Sequence, residues 1–163
     1  MIFDSGDFDA HEAVHFAHDA ATGLAAVIAV HSTRLGPAAG GCRWWAYADD
    51  RAALTDALRL SRGMSYKNAM AGLPMGGGKG VIMKLAGAPK TDALLEAFGD
   101  VVEGLGGRYV TAEDVGMSDH DMTILARRTR HVAGLPVSGV AVGGNPGPWT
   151  AEGVFVGMRA RVR

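Results

Sequence analysis

Gly63-Met-Ser-Tyr-Lys-Asn-Ala-Met-Ala-Gly-Leu-Pro-Met-Gly-Gly-Gly-Lys-Gly80 sets two lysines, Lys67 and Lys79, on either side of a Gly-Leu-Pro turn and a run of three glycines. Glycines placed this way imply tight turns and close approach of the backbone to a ligand. A phosphate-cradling Walker A loop is one reading of glycines followed by lysine. It requires glycine at position 73, where Leu73 stands, and serine or threonine after the lysine, where Gly80 stands, so phosphate binding is rejected. Taken alone, the stretch also suits two surface lysines on solvated turns.

Upstream, Leu54, Ala57, Leu58 and Ser61 recur at helical spacing from Asp49 to Arg62, with Asp49 or Asp50 as N-cap. Nearer the N-terminus, His11 to Phe16 and Leu24 to His31 flank the turn Asp19-Ala-Ala-Thr-Gly23, which predicts an antiparallel hairpin. Downstream, Gly80 to Leu85 reads as a strand. Thr91 then caps a helix whose Leu94, Ala97, Phe98, Val101 and Leu105 line one face before Gly104, Gly106 and Gly107 end it. Arg108 to Ala112 is a further strand, and Ser118-Asp-His-Asp121 is a start signal for a helix carrying Met122, Leu125 and Ala126. The loop Glu113 to Met117 therefore lies at a strand's C-terminal end. A Gly- and Pro-rich stretch, Gly139 to Pro148, precedes a helix capped by Thr150 that continues through Val154 and Met158.

With 163 residues, 48% of them hydrophobic and 20% charged, the chain suits one folded domain. The net charge is -1 and the only basic cluster is Arg127, Arg128 and Arg130, so no nucleic-acid partner is expected. No apolar run reaches the roughly 18 residues of a spanning helix, so no membrane partner is expected either. The longest such run, Leu24 to Val30, fits a buried strand. A single cysteine, Cys42, cannot form an internal disulfide, and the N-terminus lacks a charged start followed by an apolar run, which together imply a cytoplasmic location. His11-Glu-Ala-Val-His15 matches a zinc-protease pattern, but that pattern needs a helix and these residues read as strand, so no metal site is expected.

Four motifs carry a family resemblance: Leu35-Gly-Pro-Ala-Ala-Gly-Gly-Cys-Arg43, the Gly63 to Gly80 stretch, Thr111-Ala-Glu-Asp-Val-Gly116, and Gly144-Asn-Pro-Gly-Pro-Trp-Thr-Ala-Glu-Gly-Val154. In this order they closely resemble the leucine, valine and phenylalanine branch of the Glu/Leu/Phe/Val amino-acid dehydrogenases, over nearly the whole chain. The resemblance implies a three-layer α/β domain, a mixed β-sheet flanked by helices, equivalent to that family's substrate-binding and dimerisation domain. Residues 1–148 would form this domain, and 149–163 would begin the helix leading to an NAD-binding domain that the chain does not contain.

The implied reaction is oxidative deamination of an apolar L-amino acid to its 2-oxo acid and ammonia, with NAD as cofactor. A stand-alone oligomerisation or amino-acid-binding module is the alternative. Such a site must hold a carboxylate, manage an amine's protons and activate water. By resemblance, Lys67 binds the substrate carboxylate, Lys79 polarises water and the carbinolamine, and Asp114 exchanges protons with the amino nitrogen. Gly76, Gly77 and Gly78 resemble a glycine turn that aims Lys79 inward, with Gly40 and Gly41 as the pocket floor and Ala39, Met64 and Ala112 near the substrate side chain. Lys67 and Lys79 converging on one pocket would repel, and together with burial this would lower the proton affinity of Lys79. The partners expected are an amino acid or 2-oxo acid and further copies of the chain, paired through the hairpin, where Leu24 to Val30 would offer a sheet edge. No Gly-x-Gly-x-x-Gly turn opens a helix, so no dinucleotide site is expected within these residues.

Overall fold

The computed structural model describes residues 3, 5–136, 143–144 and 146–161. Part of the Gly139 to Pro148 stretch, including Asn145, lies outside them, as does Arg163. A six-stranded mixed sheet is built from β1 (Ala13–Asp19), β2 (Leu24–Ser32), β3 (Ala38–Ala39), β4 (Cys42–Trp45), β5 (Gly76–Met83) and β6 (Tyr109–Val110). The strands lie in the order β1-β2-β5-β3-β6, and β4 also pairs with β5. Helix α1 (Asp50–Met70) covers one face; α2 (Asp92–Gly104) and α3 (Asp119–Leu125) cover the other. These are the three layers that the resemblance implies.

Side-chain alternation along each strand sorts the core into two halves. On β2, Val27 and Ala29 face α1 and pack with Ala53, Ala57, Leu58 and Val81. Ala26, Ile28 and Val30 face the other way, with Ile82, Leu94, Phe98, Tyr109 and Met122. Because β2 is apolar on both faces, it runs inside the sheet between β1 and β5. That corrects the expectation that Leu24 to Val30 forms an edge. The edge at that end of the sheet is β1, on which Phe16 is exposed.

The predicted caps are present. Asp49 accepts from the Ala52 N–H, Thr91 from Leu94, and Ser118 forms a capping box with Asp121. Three boundaries differ from the sequence reading. α1 does not stop at Arg62 but runs through Gly63 to Met70, placing Met64 and Lys67 on its last turns instead of on a solvated turn. Gly76, Gly77 and Gly78 are not a turn: they open β5, with Gly76 and Gly77 paired to β3 and Gly77 and Gly78 to β2. Helix α4 (Gly147–Arg161) starts ahead of Thr150, with Pro148 in its first turn, where a missing N–H costs nothing. α4 buries none of its side chains, and no helix among the described residues is long and apolar enough to cross a membrane.

β3 and β4 are one strand interrupted. Ala38 and Ala39 pair with Gly76 and Gly77, and Cys42 and Arg43 resume the same register against Gly80 and Val81. The break at Gly40-Gly41 therefore lies opposite Gly78 and Lys79. On its far side, Cys42 N–H donates to Ala112 O at 2.8 Å and Trp44 N–H to Val115 O at 3.0 Å, which pins the loop carrying Asp114 beside the break.

Gly77 faces α1 so closely that an added Cβ would overlap Ser65 and the Ser61 carbonyl. Gly77→Ala is expected to destabilise the fold by about 3 kcal/mol, at the upper end of overpacking, because the clash is with helix backbone. Urea unfolding measures this, and a loss under about 1 kcal/mol would show that α1 can retreat from the sheet.

Candidate functional site

A cleft of about 230 Å³ opens between the end of α1, the Gly40-Gly41 break and the loop after β6. It is lined by Ala39, Gly40, Gly41, Met64, Lys67, Lys79, Ala112 and Asp114, which are the eight residues singled out in the sequence, together with Met75, Val110, Glu113 and Ala133. A larger and more open cleft of about 660 Å³ lies behind it, along Arg43, Trp45, Tyr47 and the first turns of α1.

Alternation explains how the lysine enters. On β5, Gly77, Lys79 and Val81 share the face that α1 covers, while Gly78 and Gly80 face the Tyr109 and Phe98 rings. The Lys79 side chain is only 5% exposed, and its Nζ lies 2.7 Å from Asp114 Oδ2. Burial pulls its proton affinity below the ordinary lysine range; the Asp114 carboxylate works against this, and the Arg43 guanidinium adds to it. The second cation acting on Lys79 is therefore Arg43, not Lys67 as the sequence suggested. Lys67 is exposed, has no carboxylate partner among the described residues, and offers its charge to the cleft.

Asp114 is held from two sides. Burial raises its carboxyl, but Lys79 and Arg43 together outweigh burial and keep it below the usual carboxylate range. Arg43 Nε donates to Asp114 Oδ2 at 2.9 Å, and Arg43 Nη1 reaches Asp56 Oδ2 on α1 at 2.8 Å. Tyr47 OH donates to the same Asp56 oxygen at 2.5 Å. Sequence reading missed Arg43, Asp56 and Tyr47. The available signal was that Arg43 ends the first motif, on the same strand face as Ala39 and Gly41.

The floor is shaped by close approach. A Cβ on Gly41 would stand 2.8 Å from Asp114 Cβ, and one on Gly40 would run into the Gly78 carbonyl. The buried Tyr109 hydroxyl donates to Gly40 O at 2.6 Å and fixes the break from beneath. Asn68, in the last turn of α1, donates to Gly76 O at 2.6 Å, tying the helix end to β5. Cys42 is buried and its thiol is pushed up to about 11 by burial, so it is an inert packing group, not a nucleophile. Glu113 lines the cleft with its carboxyl raised, first by burial and then by Asp119 beside it.

The histidine pattern near the N-terminus has another role. His11 is buried, and its Nε2 is 2.8 Å from Ser61 Oγ and 3.1 Å from Leu58 O, so it anchors the N-terminal segment to α1. His15 sits on β1, not on a helix.

The described residues include no glycine turn of the strand-to-helix, dinucleotide-binding kind. Gly104-Leu-Gly-Gly107 ends α2: the Leu105 and Gly106 N–H groups bond back to Val102 and Glu103, and β6 follows instead of a helix. No turn from strand to helix among the described residues carries the Gly-x-Gly-x-x-Gly pattern.

Known proteins with the same sequence pattern are amino-acid dehydrogenases. Leucine dehydrogenase from Geobacillus stearothermophilus is 51% identical over 154 residues, covering 94% of this chain and 41% of that protein. Valine dehydrogenase from Streptomyces virginiae is 54% identical over 155 residues, covering 94% and 43%. The crystal structure of L-tryptophan dehydrogenase from Nostoc punctiforme matches with a TM-score of 0.75 at 43% identity, over 94% of this chain and 41% of that one. The chain thus spans about two fifths of the length of the curated relatives it matches. The sequence profile described as the Glu/Leu/Phe/Val dehydrogenase dimerisation domain matches residues 9–131, and the chain belongs to that family.

Proposed function

We propose that this chain supplies the substrate site of an amino-acid dehydrogenase that converts an apolar L-amino acid and water, with NAD as hydride acceptor, to a 2-oxo acid, ammonia and NADH. The observation that carries this reading is the cleft itself, where an exposed cation, a buried lysine and a carboxylate converge within reach of one small molecule. Lys67 holds the substrate carboxylate. Asp114 receives a proton from the ammonium nitrogen. Lys79 polarises the water that adds at the α-carbon and takes its proton. NAD carries away the hydride when bound, and its site lies outside the described residues.

The two proton carriers are linked by their contact. Protonating Asp114 removes the anion that holds the Lys79 proton, so uptake at one favours release at the other. The wall that would meet the substrate side chain is Ala39, Gly40, Met64 and Ala112, none of which carries a charge for a glutamate carboxylate, and the relatives act on leucine, valine and tryptophan. The reading includes a cytoplasmic location and a homo-oligomer, with the exposed edge of β1 as the place for a second copy.

Lys67→Ala should weaken binding of a branched-chain 2-oxo acid by about tenfold or more, the loss of one charge-assisted bond, measured by calorimetry on the chain. Unchanged affinity would remove Lys67 from the site. The chain alone should form no NADH. Fused to the dinucleotide-binding domain of a leucine dehydrogenase, it should oxidise leucine, valine, phenylalanine or tryptophan ahead of glutamate, and a preference for glutamate would overturn the reading.

In that fusion, kcat/KM for amino-acid oxidation should rise with pH until Lys79 has lost its proton, levelling at a pH below the ordinary lysine value of 10.5 because burial lowers it. Lys79→Arg, which keeps its proton, should remove both the limb and nearly all turnover. Persistence of the limb in that variant would assign it to another group.

A further inference from the structure

We propose that Arg43 is a positioning residue for this chemistry: braced by Asp56 on α1, it fixes the Asp114 carboxylate against Lys79 and sets how readily that pair exchanges protons. The inference rests on the roles given above to Lys79 and Asp114.

Geometry carries it. Arg43 is on β4 with its side chain 22% exposed, and its planar fork spans two carboxylates on different elements, Asp114 in the loop after β6 and Asp56 on α1. An ammonium is a point charge and cannot fix two carboxylates at once in this way. Both the Arg43 and the Lys79 bonds to Asp114 fall on Oδ2, and Oδ1 accepts neither, so Oδ1 is the oxygen left to meet the amino nitrogen. Tyr47 OH on Asp56 Oδ2 completes the brace from the far side.

The charges facing the pair come from every neighbouring element. Lys79 faces Asp114 and Arg43, with the neutral Cys42 thiol beneath and Lys67 across the cleft. Asp114 faces Lys79 and Arg43, with Glu113 next to it in the loop. Arg43 faces Asp114, Asp56 and Tyr47. In this arrangement the guanidinium lowers the proton affinity of both Asp114 and Lys79, and Asp56 partly cancels it. Removing Arg43 and removing Asp56 must therefore move Lys79 in opposite directions, which a merely structural role would not do.

The test is competitive acylation of the chain with acetic anhydride across pH, with Lys79 and Lys67 quantified in the same digest by mass spectrometry. In Arg43→Gln the apparent pKa of Lys79 should rise, and in Asp56→Asn it should fall, each on the order of one pH unit. Asp56→Asn is isosteric, and its predicted sign stands alone if Arg43→Gln does not fold. No shift, or shifts of the same sign, in folded variants would overturn the proposal. Acylation needs no turnover, so the two readings fail separately. Opposite shifts in a fusion protein that oxidises no amino acid would sustain Arg43 and sink the dehydrogenase reading, and an unmoved Lys79 in a fusion that does oxidise them would do the reverse.

Discussion

Two adjacent glycines near the start of β5, Gly77 and Gly78, let two layers close on one backbone. Where most strands separate their neighbours with side chains, Gly77 admits α1 on one face and Gly78 admits the Tyr109 ring on the other, at distances no Cβ would allow. The helix end then comes down far enough for Met64 and Lys67 to roof the cleft, and Asn68 locks it there through the Gly76 carbonyl. From below, the Tyr109 hydroxyl holds the Gly40 carbonyl at the break between β3 and β4. The cleft is the space left where that interrupted strand faces Lys79.

Electrostatically the site differs from the rest of the surface. Arg127 with Asp92 and Glu96, and Arg128 with Asp100, are exposed pairs that water screens and that contribute little. Lys79 is almost fully enclosed, and without Asp114 its charge would be strongly disfavoured there. Desolvation, one anion and one further cation leave the lysine with a weakened hold on its proton. A group in that condition suits proton exchange better than it suits structural support.

The sequence made some of this legible and hid the rest for physical reasons. The caps at Asp49, Thr91 and Ser118 act over three residues, so local pattern found them, and the hairpin declared itself through its turn and its β-branched strands. The sequence reading ended α1 at Arg62, just ahead of Gly63, a residue that lowers local helix propensity. Its cost of about 1 kcal/mol is small beside the packing of a long helix on a sheet. Glycines 76–78 have no side chains to show a period of two, so a central strand read as a turn. The resemblance brought out eight of the twelve residues that line the cleft, yet not the Arg43–Asp56 contact. Nothing local links a strand residue to a helix residue across the connection between β4 and α1, and pairing of that kind exists only once the layers are assembled.

Asp56 and Lys67 ride on the same helix, with Lys67 about 16 Å further along at the normal helical rise. One meets Arg43 at the back of the site; the other overhangs the substrate cleft at the front. A stiff rod that touches both places cannot shift at one without shifting at the other. Any tilt of α1 that widens the mouth of the cleft also strains the hold on the carboxylate inside, so the room offered to a guest and the acidity it meets are geared together.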